Sequence, residues 1–384
     1  MAVYLDHNAT TPLATGVLEA MLPYLESQYA NPSSIHFAGR RARAAIDRAR
    51  EQVAELANAH HAQIIFTSGA TEANNLALKG WAATDNGAAI AVSAIEHASV
   101  LAPAQSLRQH GHALCLLPVD ACGRVVNAGV EQALVGGAKM ISVMMANNET
   151  GVIQDIAALS TGVRRHGAVM HTDAAQAAGK IELDFRASGV QMMSLSAHKL
   201  YGPKGVGTLI VDKTVEVEAL LHGGGQEAGL RAGTENVAGI VGFGAAAEIA
   251  RTQLNARRHR LQTLRDYLET RLRQLPSVVL FAETATRLPN TVCLAVPGLD
   301  GEMLVMSLDR DGIAVSSGSS CSSGSTDPSH VLLAMGVAPE TARCAVRISL
   351  GEGNTQADID SLVQSLQAQI EVMKSMAFPC QAAV

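Results

Sequence analysis

The sequence predicts an α/β fold: a mostly parallel sheet covered by helices on both faces, followed by a smaller domain. Seven short apolar runs alternate with amphipathic, helix-like stretches from about residue 40 to residue 250. The runs are continuously hydrophobic rather than alternating, as strands buried on both faces require. Five of them end in polar residues capable of chemistry, and in such a sheet the carboxyl ends of parallel strands border the ligand crevice.

Residues 39–59 carry Ala44, Ile46, Val53 and Leu56 among arginines and glutamates, the spacing of an amphipathic helix. The strand-like runs follow at 63–67, 88–95, 113–119, 140–146, 168–171, 190–196 and 206–211. Residues 257–275 read as a long helix with one polar face, leading from the first domain into a second over roughly 254–384. The serine/glycine run 316–325 is the one low-complexity segment.

A chain of 384 residues can bury a large core, and with 48% hydrophobic but only 3% aromatic residues that core is built from Ala, Val, Leu, Ile and Met. A net charge of −6, with mixed signs and no basic run, excludes a nucleic-acid or anionic-membrane surface. No apolar run reaches the roughly 18 residues of a membrane span, and the first residues lack the pattern of a leader. The 6 cysteines are scattered, without metal-ligand pairs or disulfide density, so a reducing, cytoplasmic compartment is expected.

Lys199 lies in Ser-Ala-His-Lys-Leu-Tyr-Gly-Pro-Lys-Gly directly after a strand-like run, and Asp173 lies 199 − 173 = 26 residues upstream at the end of another. A lysine there is suited to condense with the aldehyde of pyridoxal phosphate (PLP), while a carboxylate from a neighbouring strand protonates the pyridine nitrogen. An ordinary exposed lysine is the alternative, a role that fits Lys204 better. Ser68-Gly-Ala-Thr71 before a helix-like stretch reads as a simple cap or as a phosphate cup. His97 reads as a satisfied histidine, or as a flat ring stacked on the pyridine that also moves protons. Asn148 and Gln176 either tie loops or donate to the ring's phenolic oxygen. Glu96 and Glu149 stand at strand ends beside them.

Five cysteines have structural readings: Cys115 and Cys293 in apolar runs, Cys122 in a turn, Cys344 near a strand and Cys380 in the tail. Cys321, amid serines and glycines, has no apolar neighbour to bury it. It is either a harmless loop thiol or a mobile nucleophile. Arg347, in a strand-like segment, reads as a salt-bridge partner or as a bidentate grip on a substrate α-carboxylate.

Together these motifs resemble the PLP-dependent cysteine desulfurases of the class V aminotransferase group, the NifS/IscS type. The resemblance rests on Tyr4–Pro12, Asn31–His36, Ser68–Asn74, Glu96-His97, Asn147–Gly151, His171–Gln176, Ser196–Lys199, Gly223–Glu227, Arg231–Asn236 and Ser317–Cys321, in order along nearly the whole chain. The 223–227 and 231–236 versions are closer to NifS, and the extended serine loop resembles the long-loop group.

The resemblance implies the PLP-dependent transferase fold of type I, with a mostly parallel seven-stranded sheet in a large domain over 15–253. A small α+β domain over 1–14 and 254–384 would carry the Cys321 loop. It implies Lys199 as the Schiff-base lysine, Asp173 as the pyridine-nitrogen partner, Gln176 on the phenolic oxygen and His97 stacked on the ring. Asn148 would contact cofactor and substrate. Ala70, Thr71, Ser196 and His198 would hold the phosphate, joined by Thr234 from the other subunit of a homodimer. Asn8 and Arg347 would bind L-cysteine, and Cys321 would accept its sulfur as a persulfide. Delivery to a NifU/IscU-like iron–sulfur scaffold is expected, with Cys321 as a transient cluster ligand and no intrinsic metal. A selenocysteine lyase or a PLP aminotransferase on the same scaffold is the alternative, and a non-enzymatic sulfur carrier the most distant one. Two departures stand out: Ser320 in place of an alanine, and Gly351-Glu-Gly-Asn where a basic residue usually follows the glycine. The longer scaffold-binding tail is not expected after Lys374.

Overall fold

The computed structural model describes residues 3–85, 87–318 and 327–377. Its centre is a 7-stranded sheet. In chain order the strands are β1 (Ile64–Thr67), β2 (Ala89–Ser93), β3 (Leu114–Leu117), β4 (Ala138–Ser142), β5 (Val169–Asp173), β6 (Met192–Ser196) and β7 (Gly207–Val211). The spatial order is β1-β7-β6-β5-β4-β2-β3, with β7 antiparallel to both neighbours and the remaining pairs parallel.

Successive side chains of a strand point to opposite faces, and here both faces are covered. Ile64, Phe66, Ala91, Ile141, Met193 and Ile210 enter one apolar cluster. Their chain neighbours Ile65, Ile90, Val92, Met140, Met192 and Leu209 enter another on the opposite side. That is why these strands read as unbroken apolar runs. The edge strand β3 departs from the pattern: Cys115 and Leu116 are exposed. The apolar run therefore does not bury Cys115, because β3 has a neighbour on one side only.

Helices α1 (Thr15–Glu26) and α2 (Phe37–Leu56) pack on one face with α3 (Ala70–Asn75), α4 (Ala98–Gln109), α5 (Asn127–Val135) and α6 (Ile156–Arg165) distributed over both. Helix α3 continues through a π-turn at Leu76–Gly80 into Trp81–Thr84. Helix α7 (Val237–Leu272) is longer than its 257–275 signature. Its first half holds Gly242 and Gly244, where an added Cβ would lie 2.6 Å from Met21 Sδ and 2.7 Å from Ala49 Cα. These glycines lower helix propensity but let α1 and α2 approach closely.

Ile240, Phe243, Ala247 and Ala250 of α7 join the central core, whereas Leu261, Leu264, Leu268 and Leu272 join a separate cluster. That second cluster draws together Leu5 and residues from β9 (Thr291–Ala295), α8 (Gly301–Arg310), β11 (Ala345–Ser349) and α9 (Gln356–Ala377). A 4-stranded antiparallel sheet, in the order β10-β11-β9-β8, lies within this part, with β8 at Val279–Leu280 and β10 at Ser316–Ser317. The N-terminal segment adds to it: Val3 and Tyr4 pair with Ile313 and Ala314, and Asp6 bridges to Ser349.

Among the described residues no helix is long and apolar enough to cross a membrane, and no group of three or more His, Cys, Asp or Glu is placed to hold a metal ion.

Candidate active site

The ends of β1, β2, β5 and β6, with the loop after β4, open onto a cavity of about 510 Å³. It is lined by Ala70, Thr71, His97, Asn148, Asp173, Gln176, Ser196, His198 and Lys199, nine residues singled out by the sequence. In the parallel pairing of β5 with β6, Asp173 stands opposite Ser194, so the carboxylate and the lysine lie at the ends of adjacent strands. Lys199 follows β6 through a short 3-10 turn over Ala197–Lys199, and its Nζ donates to the carbonyls of Asn8 (2.6 Å) and Ala9 (2.8 Å).

Asp173 is buried, and its carboxylate accepts from the Ala175 amide (2.9 Å) and from Asn74 Nδ2 (2.7 Å). Asn74 Nδ2 also donates to Ser99 Oγ (2.8 Å), which lies 2.8 Å from His97 Nδ1. The Ser99 backbone amide donates to the same Nδ1 (3.1 Å), so the neutral imidazole carries its proton on Nε2. Burial holds the His97 pKa below its ordinary value; Asp173 opposes this and Lys199 reinforces it. His97 is therefore both the N-cap of α4 and a wall of the cavity. The reading as a satisfied histidine holds, and the ring also borders the cavity.

At the other end of the cavity, Ser68, Gly69, Ala70 and Thr71 bring the start of α3 against Ser196 and His198. A Cβ at Gly207 would lie 2.7 Å from Gly69 Cα and 2.6 Å from the Leu195 carbonyl, so glycine there lets β7 close beneath this turn. Burial, with Lys199 and Lys204 adding to it, lowers the His198 pKa to about 4, leaving a neutral ring at pH 7. Lys204 is exposed, as its reading requires, and it also lines the cavity.

Three expected residues are absent from the lining. Asn8 is buried, and all four hydrogen-bonding positions of its amide are filled: Nδ2 donates to the Asn148 carbonyl and Thr291 Oγ1, while Oδ1 accepts from Lys180 and Asn290. What it presents to Lys199 and Gln176 is its backbone carbonyl. Arg347 is buried on β11, paired with Asp6 at 2.7 Å and donating to the Asn148 carbonyl at 3.2 Å, which realises its salt-bridge reading. Thr234 is exposed and outside this chain's cavity.

Two strand-end carboxyls are fixtures of the fold. Glu96 accepts from Ser93 Oγ and the Met144 amide, and burial raises its pKa to about 8. Glu149 accepts from Ser329 Oγ, and burial raises its pKa to about 7, with Arg347 opposing. Cys321 and Ser320 lie outside the described residues. None of the described cysteines, Cys115, Cys122, Cys293 and Cys344, lines the cavity.

Asn74, Ser99 and Lys180 were not singled out by sequence reasoning. Asn74 stood inside a quoted motif; a lysine in the small-residue run Ala177-Ala-Gly-Lys180-Ile was the available signal for the third.

A family model described as aminotransferase class-V matches residues 3–362. The chain belongs to the class-V aminotransferases. Class-V aminotransferases depend on PLP, and the donor set fits that coenzyme. An amine, a buried carboxylate on the adjacent strand, a flat neutral ring and a hydroxyl- and amide-rich turn at the far end share one cavity. Within the family the chain falls in the NifS/IscS-like group. It is 43% identical over 377 residues to a cysteine desulfurase IscS from Dictyoglomus turgidum (strain DSM 6724 / Z-1310), covering 97% of this chain and 96% of the relative. Among solved structures, a NifS-like protein superposes with a TM-score of 0.91 at 36% identity, covering 97% of this chain and all of that one. The structure of SspA in complex with cysteine superposes with a TM-score of 0.81 at 35% identity, covering 91% and 98%. The seven-stranded, mostly parallel sheet of this class-V aminotransferase is the expected fold.

Replacing Asn74 by alanine leaves one Asp173 oxygen and the Ser99–His97 contact without their shared donor. Loss of about 1–3 kcal/mol of stability is expected, the usual cost of unpairing buried polar groups. Denaturant titration checks this; an unchanged midpoint would show that the linkage from Asp173 to His97 contributes nothing.

Proposed function

We propose that this chain is a PLP-dependent cysteine desulfurase that converts L-cysteine to L-alanine and loads the sulfur on Cys321. The observation that carries the reading is Lys199 and Asp173 lining one cavity from adjacent strand ends. The names of its relatives, and the cysteine complex of SspA, support the substrate.

Bound in this cavity, PLP supplies an electron-accepting ring that weakens the bonds at the substrate's Cα. Lys199 would hold the coenzyme and move the Cα proton, with His97 beside the ring as proton partner. The Asp173 carboxylate, held by Asn74 and Ala175, would keep the ring nitrogen protonated. Gln176 would donate to the phenolic oxygen, and Ala70, Thr71, Ser196 and His198 would hold the phosphate. Asn148 would meet the substrate from the cavity wall, with Asn8 and Arg347 behind it on its backbone carbonyl; to grip the substrate carboxylate Arg347 would leave Asp6. The C–S bond of L-cysteine breaks as an S–S bond to Cys321 forms; Cβ gains a proton, giving L-alanine and the enzyme persulfide.

The active unit is a homodimer, in which Thr234 of a second copy completes the phosphate site. Exposed apolar side chains along α1 and its connection to α2 support this: Leu18, Leu22 and Leu25, with Tyr29 86% and Ile35 90% exposed. A large unit over 15–253 and a small one over 1–14 and 254–384, a cytoplasmic location, and a NifU/IscU-like scaffold as recipient, with Cys321 as transient cluster ligand, complete the proposal.

The test is a visible spectrum of PLP-loaded protein with and without L-cysteine, with product analysis. A yellow protein whose spectrum changes on cysteine addition, releasing alanine, is expected. With an added keto acid as amino-group acceptor, mercaptopyruvate in place of alanine indicates an aminotransferase, inertness to cysteine a selenocysteine lyase, and a colourless protein a mere sulfur carrier.

A further inference from the structure

Among the described residues Lys180 is the one lysine buried against the site that the mechanism leaves unused. It lies on the segment after β5, four residues beyond Gln176, and is buried. Its Nζ sits 2.8 Å from Gln176 Oε1 and 2.9 Å from Asn8 Oδ1. Both partners are neutral amide oxygens, and among the described residues no carboxylate pairs with it within 4.0 Å. A buried lysine held only by amides is a costly arrangement. The same cluster places Lys199 and Arg347 close enough to act on it electrostatically, and His7, Tyr201 and Arg257 line the small cavity it shares with Lys199.

The geometry settles which way the Gln176 amide faces. A lysine nitrogen, charged or neutral, must donate to both amide oxygens, because neither has a proton to give. At the other end Gln176 Nε2 donates to the Asn8 carbonyl (3.0 Å), which accepts only. One Nε2 proton is thereby used and the second stays on the cavity side, where Gln176 is a lining residue. Asn8 is held in the same way, and its carbonyl is the acceptor for both Gln176 and Lys199.

We propose that Lys180 is a positioning residue: by binding the amide oxygens of Gln176 and Asn8 together, it makes Gln176 a fixed, polarised donor toward the cavity. The inference rests on the desulfurase reading, in which that donor meets the coenzyme's phenolic oxygen. Donation to this oxygen favours loss of the proton shared between the lysine-linked nitrogen and the oxygen, so it lowers the pH at which the visible band of the loaded enzyme changes.

The test is a pH titration of the visible band in PLP-loaded wild type, Lys180→Met and Lys180→Gln, alongside thermal unfolding of each. In Lys180→Met the midpoint of the band is expected to rise by about one pH unit or more. Lys180→Gln, which restores one donor but no charge, is expected to fall between methionine and wild type. An unchanged midpoint in Lys180→Met overturns the assignment, as does insolubility of both variants, which would make the lysine a part of the fold. A wild type that forms no visible band with added PLP defeats the desulfurase reading itself and takes this inference with it.

Discussion

Lys199→Ala is expected to lower L-cysteine desulfuration by at least about a thousandfold, within the range that a positioned proton-transfer group contributes. The visible band of lysine-bound coenzyme is expected to vanish at the same time. The fold should survive, because Lys199 lines an open cavity, where water can replace its donations to the carbonyls of Asn8 and Ala9. Removing its charge also relieves the pressure that it exerts on His97, Lys180 and His198, whose pKa values all move back toward their ordinary ranges. Absorbance spectra and alanine assays on the purified variant decide the matter. A persistent band would take the covalent role away from Lys199.

Cys321→Ala has a different signature: the coenzyme band and its response to L-cysteine should remain, while sulfur release falls below about one per cent of wild type, as for loss of a nucleophile. Among the described residues the other thiols make poor substitutes. Cys293 is fully buried, with its pKa pushed far up by desolvation and by Glu149. Cys344 is buried and hydrogen-bonded to the Glu340 carbonyl. Cys115 and Cys122 reach solvent but do not line the cavity. Mass spectrometry of the cysteine-treated enzyme should show the extra sulfur on the peptide containing Cys321. Sulfide release at the wild-type rate from Cys321→Ala would remove that residue from the reaction.

The fold was legible because its driving force is local. Each central strand is apolar on two faces, so each left a continuous run in the sequence, and the cavity residues followed as the polar groups just past those runs. Limits appeared where burial and strand pairing part company. The run over 140–146 continues to look like a strand, but β4 ends at Ser142, and Val143–Ala146 are buried in the crossing to the Asn147 turn. There Asn147 is committed to the loop, accepting from Glu149 and Thr150 and donating to the Ile95 carbonyl. Helix α7 began twenty residues before its expected start, because glycines needed for close helix packing masked its first half.

In the site, the groups that touch the cavity were readable and those that orient them were not. Asn74 reaches Asp173 across 99 positions and Lys180 reaches Asn8 across 172, and no local pattern encodes such a contact. Asn8 was placed at the substrate by resemblance, and Arg347 by residue type and resemblance together. Folding engages the Asn8 amide with Asn148, Thr291, Lys180 and Asn290 and pairs Arg347 with Asp6, contacts that neither route encodes.

Helix α7 spans roughly 54 Å at the usual rise per residue, and both apolar clusters grip the same rod. Its first half serves the central core and its second half the other, joined by unbroken backbone hydrogen bonding. A single calorimetric transition, rather than two in succession, is the expected consequence.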